Sequence, residues 1–290
     1  MATLDGDGAP MTAGDRPPRK FPLILDRLPG GAGPALPPGS AVQSPRSLLR
    51  PQRHAAAAHA DSARRLPPVG LGLDSADVRR RMTDRLRFGG IGNAAVLAAF
   101  NAVPRHHFVD AGLATQAYED TSLPIGHGQT ISKPSVVARM IELLFDGSNA
   151  RSSQRLGAVL EVGTGCGYQA ALLSELSVRV VSVERLGPLY EKARLLLAPM
   201  RSHRLRLVHG DGMLGHPPGA PYDSIIAAAG GHELPKAWLD QLAVGGRLVS
   251  PVQQAGGGQA LVVVDRSEHG FAHSVHEAVK FVPLKSGLVR

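Results

Sequence analysis

The residues best spaced for chemistry lie between 159 and 212. Val159-Leu160-Glu161-Val162 is a short apolar run, and Gly163-Thr164-Gly165-Cys166-Gly167 is a turn on three glycines. Tyr168-Gln169-Ala170 then continues into a helical pattern that lasts to Leu176. This order predicts a buried strand, a tight turn and a helix. Glycines suit a backbone that takes unusual dihedrals or approaches a ligand, and the helix start beyond them offers free N–H groups. A dinucleotide site would normally read G-x-G-x-x-G, but here Tyr168 stands where its last glycine would be. Glu184 ends the next valine-rich run, and a carboxylate at such a strand end can accept both ribose hydroxyls. Asp211 follows a third run, inside His209-Gly210-Asp211-Gly212. Each carboxylate also has a plainer reading: Glu161 could cap a helix, and Asp211 could simply hold its turn.

A second group lies upstream. Gly128-Gln129-Thr130-Ile131-Ser132-Lys133-Pro134 reads as a hydroxyl-bearing loop feeding a helix over 135–144. Val136, Val137, Met140, Ile141 and Leu144 form the apolar face of that helix. Such loops commonly carry function, although this one could be only a capped helix start. The pair His106-His107 reads as solvated, because neighbouring positions rarely point at one metal. Cys166 reads as a small residue filling a tight space, and as the single cysteine it excludes an intrachain disulfide and a cysteine-based zinc cluster.

The elements that would position these groups alternate. Helices are expected over 77–88, 94–103, 189–200 and 238–242, the second capped by Asn93 and ended by Pro104. Strands are expected over 178–184, 205–208, 222–229, 247–252, 261–265 and about 275–282. Alternation argues for a parallel sheet covered on both faces. The last two strands lack a helix between them and argue for an antiparallel edge. The expected class is α/β: a doubly wound, mostly parallel sheet in which ligands sit beyond the carboxyl ends of the strands. Glu161, Gly163, Glu184 and Asp211 all fall at that side.

Residues 1–73 differ from the rest. They hold roughly half of the prolines and almost no apolar periodicity. Such a segment buries too little surface to offset its ordering entropy, so it is expected to be disordered, with Phe21–Leu25 a short apolar cluster within it. Order is expected from 74, where Asp74-Ser75 can cap the first helix, giving one domain over 74–290. The chain has 290 residues, 43% hydrophobic, with a formal charge of +8. That charge permits an anionic partner, but aromatics at 4% leave no stacking platform for RNA. No apolar run approaches the ~20 residues of a membrane span, and no apolar signal segment opens the chain. These features, with one cysteine, predict a cytoplasmic protein without a membrane or specific nucleic-acid partner.

Glu161-x-Gly163-x-Gly165-x-Gly167 resembles the first motif of S-adenosylmethionine-dependent methyltransferases. Leu123-Pro124-Ile125-Gly126 followed by Gly128–Pro134, upstream of that turn, narrows the likeness. Together they resemble the protein-L-isoaspartate (D-aspartate) O-methyltransferase family from about Val78 onward. The matching segments also include Ala102-Val103-Pro104-Arg105, Phe108-Val109, Val183-Glu184-Arg185, His209–Gly212, Pro221-Tyr222-Asp223 and Phe281–Leu284. One departure is Gly230, where the family often places proline.

The resemblance implies the doubly wound methyltransferase fold, S-adenosyl-L-methionine as donor, no metal, and isoaspartyl-containing proteins and peptides as acceptors. It implies that Glu161, Gly163, Gly165, Gly167, Glu184, Asp211 and Gly212 bind the cofactor. The glycine turn would meet the methionine moiety and ribose, Glu184 the ribose hydroxyls, and Asp211 the adenine amino group. Thr130 and Ser132 would meet the acceptor, with Ser132 orienting its carboxylate. The alternatives are a methyltransferase acting on RNA or a small molecule, and a non-catalytic binding protein on the same fold.

Overall fold

The computed structural model describes residues 76–289. The expected tail over 1–73 and the Asp74-Ser75 cap lie outside the described residues.

The first described elements are α1 (Ala76–Phe88) and α2 (Ala94–Ala102). The Asn93 side chain accepts from the N–H groups of Ala95 and Val96, as its type and place predicted. Val103 and Pro104 leave α2 in an extended conformation. Two short 3₁₀ turns, Arg105–Phe108 and Ala111–Gln116, lead to β1 (Leu123–Gly126) and β2 (Gln129–Ile131). These two pair antiparallel, so the segment read as a loop is a small hairpin. Its bend is Gly126-His127-Gly128, all at positive φ. Helix α3 (Pro134–Phe145) follows, with Pro134 in the first turn where a missing N–H costs nothing. Asp120 also serves its start, accepting from both the N–H and the hydroxyl of Ser135.

The rest is one seven-stranded sheet. Its strands are β3 (Ala158–Val162), β4 (Arg179–Glu184), β5 (Leu205–His209), β6 (Tyr222–Ala227), β7 (Leu242–Gln253), β8 (Gln259–Ser267) and β9 (Gly270–Val279). The order is β5-β4-β3-β6-β7-β8-β9, parallel as far as β7 and antiparallel for the last two pairs. Helices α4 (Ser148–Ser153), α5 (Tyr168–Leu176), α6 (Gly187–Leu197) and α7 (Lys236–Gln241) lie in the connections. This is the expected doubly wound class with an antiparallel edge.

Alternation along β3 sends Val159 to one apolar cluster and Leu160 and Val162 to the other. The strand order reverses beside β3: β4 and β5 extend one way, β6 onward the other. A crevice opens at the carboxyl end of such a switch point. The last strand, expected over about 275–282, runs Gly270–Val279, because it pairs with β8 directly from the turn over 267–270. Three further differences have local causes. The polar stretch of α4 has no apolar period. The strands β1 and β2 are too short to show one. Strand β7 begins at Leu242 because its register shifts between the partners Tyr222 and Ser224, which accommodates Gly245-Gly246 inside it.

Candidate active site

The three glycines of the turn carry φ values of 92° (Gly163), 58° (Gly165) and 94° (Gly167). That is the left-handed region a side chain rarely adopts. A Cβ on Gly167 would also stand 2.7 Å from Leu197 Cδ1, so the close packing of α6 on the turn excludes one. The turn is tied to its flanks: Gly163 N–H donates to the Val183 carbonyl at 2.9 Å, and Gly165 N–H to Glu184 Oε2 at 2.9 Å. Glu184 Oε1 accepts from Leu186 N–H at 2.9 Å. The Glu184 carboxylate therefore holds the glycine turn to the start of the next connection. Each of its oxygens keeps a lone pair for a further donor.

A cleft of about 220 Å³ lies in front of this turn. Gly163 to Cys166, Tyr168, Glu184, Leu186 and Gly212 line it, as do Ile125, Thr130, Ile131 and Ser132. Residues Val282 to Lys285 complete the wall. Thus the hairpin and the start of α3 share one cleft with the glycine turn. Thr130 is exposed on β2 and Ser132 is half-buried one residue beyond it. Helix α3 takes Lys133, not Ser132, as its N-cap residue, with no side-chain cap bond.

Two of the sequence-selected carboxylates, Asp211 and Glu161, are not among the residues that line the cleft. Asp211 Oδ1 accepts from Met213 N–H at 2.9 Å and Oδ2 from Gly287 N–H at 2.6 Å. It holds its own turn and the 282–289 segment, while its neighbour Gly212 reaches the cleft wall. The Trp238 indole donates to the Gly212 carbonyl at 2.8 Å, and a Cβ on Gly212 would stand 2.5 Å from Val162 Cγ1. Glu161 lies within β3, wholly buried and behind the wall. Sheet register places it opposite Ser182, whose hydroxyl donates to Glu161 Oε2. Ser182 in turn shares a 2.6 Å hydrogen bond with the Thr164 hydroxyl, and Thr164 faces the cleft. Burial pushes the Glu161 carboxyl up to about 8, against the opposing effect of Ser182 and the nearby Gln169 amide. Glu161 Oε1 and Gln169 Nε2 both lack a partner in hydrogen-bond geometry.

Cys166 is buried, and desolvation raises its thiol to about 11, so it is held as a thiol. His106 is half-buried and shares a 2.7 Å hydrogen bond with the Tyr118 hydroxyl, while His107 is exposed. Among the described residues no group of three or more His, Cys, Asp or Glu could hold a metal ion. No helix among them is long and apolar enough to cross a membrane. Gly230 N–H donates to the Val282 carbonyl at 2.9 Å and its carbonyl accepts from Leu284 N–H at 2.8 Å. Here the loop uses an N–H that proline would lack.

Arg105 and Phe281–Leu284 belong to the matching segments, but the sequence alone assigns them no role. Arg105 is wholly buried, and its guanidinium spans three backbone segments including Ser132. A charged residue between Val103 and Phe108-Val109, in a segment otherwise suited to the core, was the available signal.

Comparisons with known proteins agree with this geometry. A family model described as protein-L-isoaspartate(D-aspartate) O-methyltransferase matches residues 78–288. The protein-L-isoaspartate O-methyltransferase of Methylibium petroleiphilum is 58% identical over 280 residues, which is 96% of this chain and 99% of that one. Its counterpart in Leptothrix cholodnii is 55% identical over 276 residues, 94% of this chain and 96% of its own. A solved protein-L-isoaspartate O-methyltransferase matches with a TM-score of 0.64 at 26% identity, over 72% of this chain and 67% of that one. A Plasmodium falciparum structure, described as a β-aspartate methyltransferase with S-adenosyl-L-homocysteine, matches at 0.61 and 21% identity. It covers 71% of this chain and 98% of its own, and speaks for the fold alone.

Proposed function

The chain belongs to the protein-L-isoaspartate(D-aspartate) O-methyltransferase family, and from that premise we propose how its own residues carry out the transfer. The methyl group of S-adenosyl-L-methionine passes to the free α-carboxylate of an L-isoaspartyl residue in a damaged protein or peptide. The observation that carries this reading is the cleft itself, which Thr130 and Ser132 line together with the glycine turn and Glu184.

The residues present fit such a donor. Glycines at 163, 165 and 167 let the backbone approach it, and Glu184 has lone pairs to accept from ribose hydroxyls. Leu186 and Leu189 offer an apolar wall to a base. When bound, the donor supplies a methyl group on a positively charged sulfur. Asp211, beside Gly212 and with a lone pair left on each oxygen, would meet the adenine amino group, while the buried Glu161 acts through Ser182 and Thr164.

An isoaspartyl α-carboxyl has a reference pKa of about 3.3–3.7, so at neutral pH it is already a carboxylate. It needs no general base, which agrees with a cleft whose acceptor side offers hydroxyls. Attack on the methyl joins opposite charges and cancels them. The site's task is then to align two groups and exclude water more than to stabilise new charge. The Ser132 hydroxyl donates to the carboxylate and turns it toward the methyl, with Thr130 shaping the same wall. Products are the α-methyl ester and S-adenosyl-L-homocysteine. The ester then favours ring closure to a succinimide, and its hydrolysis returns some normal aspartate.

Residues 74–290 carry this activity in the same reading, with 1–73 as an appendage and a cytoplasmic setting. The test is labelled methyl transfer to an isoaspartyl peptide beside its aspartyl twin. Label on the first and not the second is expected. Equal labelling of both, or of RNA instead, would reject the acceptor assignment.

A further inference from the structure

Arg105 is a charged side chain with none of its surface exposed. Its Nε donates to the Ala117 carbonyl at 2.7 Å, and its Nη2 donates to the Ser132 carbonyl at 2.8 Å and the Thr121 carbonyl at 3.4 Å. The guanidinium carbon lies 4.9 Å from the centroid of the Tyr168 ring. Tyr168 is the first residue of α5, directly after Gly167; it lines the cleft, and its ring is buried behind the turn. Phe100 and Phe108 meet the same ring edge-on, with centroids at 6.1 and 5.6 Å. One planar fork thus joins the wall that carries Ser132 to the helix that the glycine turn feeds. Arginine suits this place because its several donors are fixed in one plane and its face stacks on an aromatic ring; lysine offers a single point.

We propose that Arg105 is a positioning residue that couples the acceptor wall to the cofactor turn, setting where the Ser132 hydroxyl stands over the glycines. The proposal rests on the reading of Ser132 as the group that turns the acceptor carboxylate. The Ser132 carbonyl is held by Nη2, so the backbone from which its hydroxyl branches takes its position from the fork. The fork is in turn registered on Tyr168, so movement of the turn is passed to Ser132. Ala117 and Thr121 brace the other end, and residues 117–121 are not part of the cleft wall.

Three consequences can be measured on the full-length protein. In Arg105→Lys, kcat on an isoaspartyl peptide should fall about ten- to 100-fold, since misplacement of about 1 Å can cost about 10²-fold. The affinity for S-adenosyl-L-homocysteine, read by calorimetry, should change less than about threefold. In a Ser132→Ala background the same substitution should cost less than about threefold further, because the group it positions is gone. Full multiplication of the two losses, or wild-type kcat in folded Arg105→Lys, would overturn the proposal. Should Arg105→Lys not fold, amide hydrogen exchange on the wild type decides. S-adenosyl-L-homocysteine should slow exchange over 117–121 as well as at the wall, whereas protection confined to wall residues would overturn the coupling. A wild type that binds S-adenosyl-L-homocysteine yet methylates no isoaspartyl peptide would reject the acceptor reading instead, and the exchange result would still judge Arg105.

Discussion

Replacing Glu161 with glutamine isolates the effect of burying one carboxyl. Burial pushes this group from an ordinary 4.5 up to about 8. Glutamine has the shape of the neutral form and keeps an oxygen for the Ser182 hydroxyl. Between about pH 4.5 and 8 the folded wild type keeps a proton on Glu161 that the unfolded chain has released. Folding then takes up a proton, so this group's contribution to stability falls as pH rises through that window. Its limiting slope is about 1.4 kcal/mol per pH unit, or about 2–3 kcal/mol between pH 5 and 7. Below the unfolded value and above the folded one the contribution is level. Urea unfolding of wild type and Glu161→Gln at both pH values gives the result as a difference. The stability of the glutamine form relative to wild type should rise by about 2–3 kcal/mol from pH 5 to 7. A relative stability that stays level would show that Ser182 and Gln169 hold Glu161 ionised in the fold, and the argument from burial would fail.

Ser132→Ala should leave S-adenosyl-L-homocysteine affinity and melting temperature near wild type and lower kcat roughly ten- to 150-fold, the loss of one bond to a charged group of about 1.5–3 kcal/mol. Wild-type turnover would remove Ser132 from the reaction. Glu184→Ala should weaken cofactor binding by about the same factor and also lower the melting temperature, since the N–H groups of Gly165 and Leu186 lose their acceptor. Unchanged affinity by calorimetry would place the ribose elsewhere. Cys166 should resist iodoacetamide at pH 8 in the native protein and react after unfolding in urea, as mass spectrometry can read; fast labelling of the folded form would contradict its burial. Deleting residues 1–70 should spare transfer to a short peptide, and a large fall in activity would tie that segment to the domain.

The central strands were legible because they are largely apolar runs separated by helical segments, whereas β9, exposed along most of its length, carried no such run. The glycine turn was legible because three glycines at alternate positions have few other uses. What a single strand cannot reveal is its neighbour. Glu161 stands at a strand position that alternation assigns to the Val159 face, but only the pairing of β3 with β4 sets it opposite Ser182. The turn-holding bond from Asp211 to Met213 N–H was within reach of the sequence, but its bond to Gly287 N–H, far away in the chain, was not. Strands β1 and β2 are too short for an alternation to be counted. A charge in a core-suited segment marks Arg105, but its acceptors are backbone carbonyls without a sequence signature, so its partners were not legible.

The bonds around Gly230 bear on how this loop can change over generations. Its N–H and carbonyl hold the segment at Val282 and Leu284, and a Cβ there would lie 2.4 Å from Gln259 Nε2. Gln259 is itself committed, its Oε1 accepting from Phe281 N–H at 2.7 Å. A proline at 230 would remove a donor and intrude on that amide at once. The reverse order is open: a smaller residue at 259 and a rerouted Val282 carbonyl would first make room. Exchange between glycine and proline here is therefore contingent on prior substitutions, and a chimera that swaps this loop without the 281–284 segment would inherit a mismatch neither parent has.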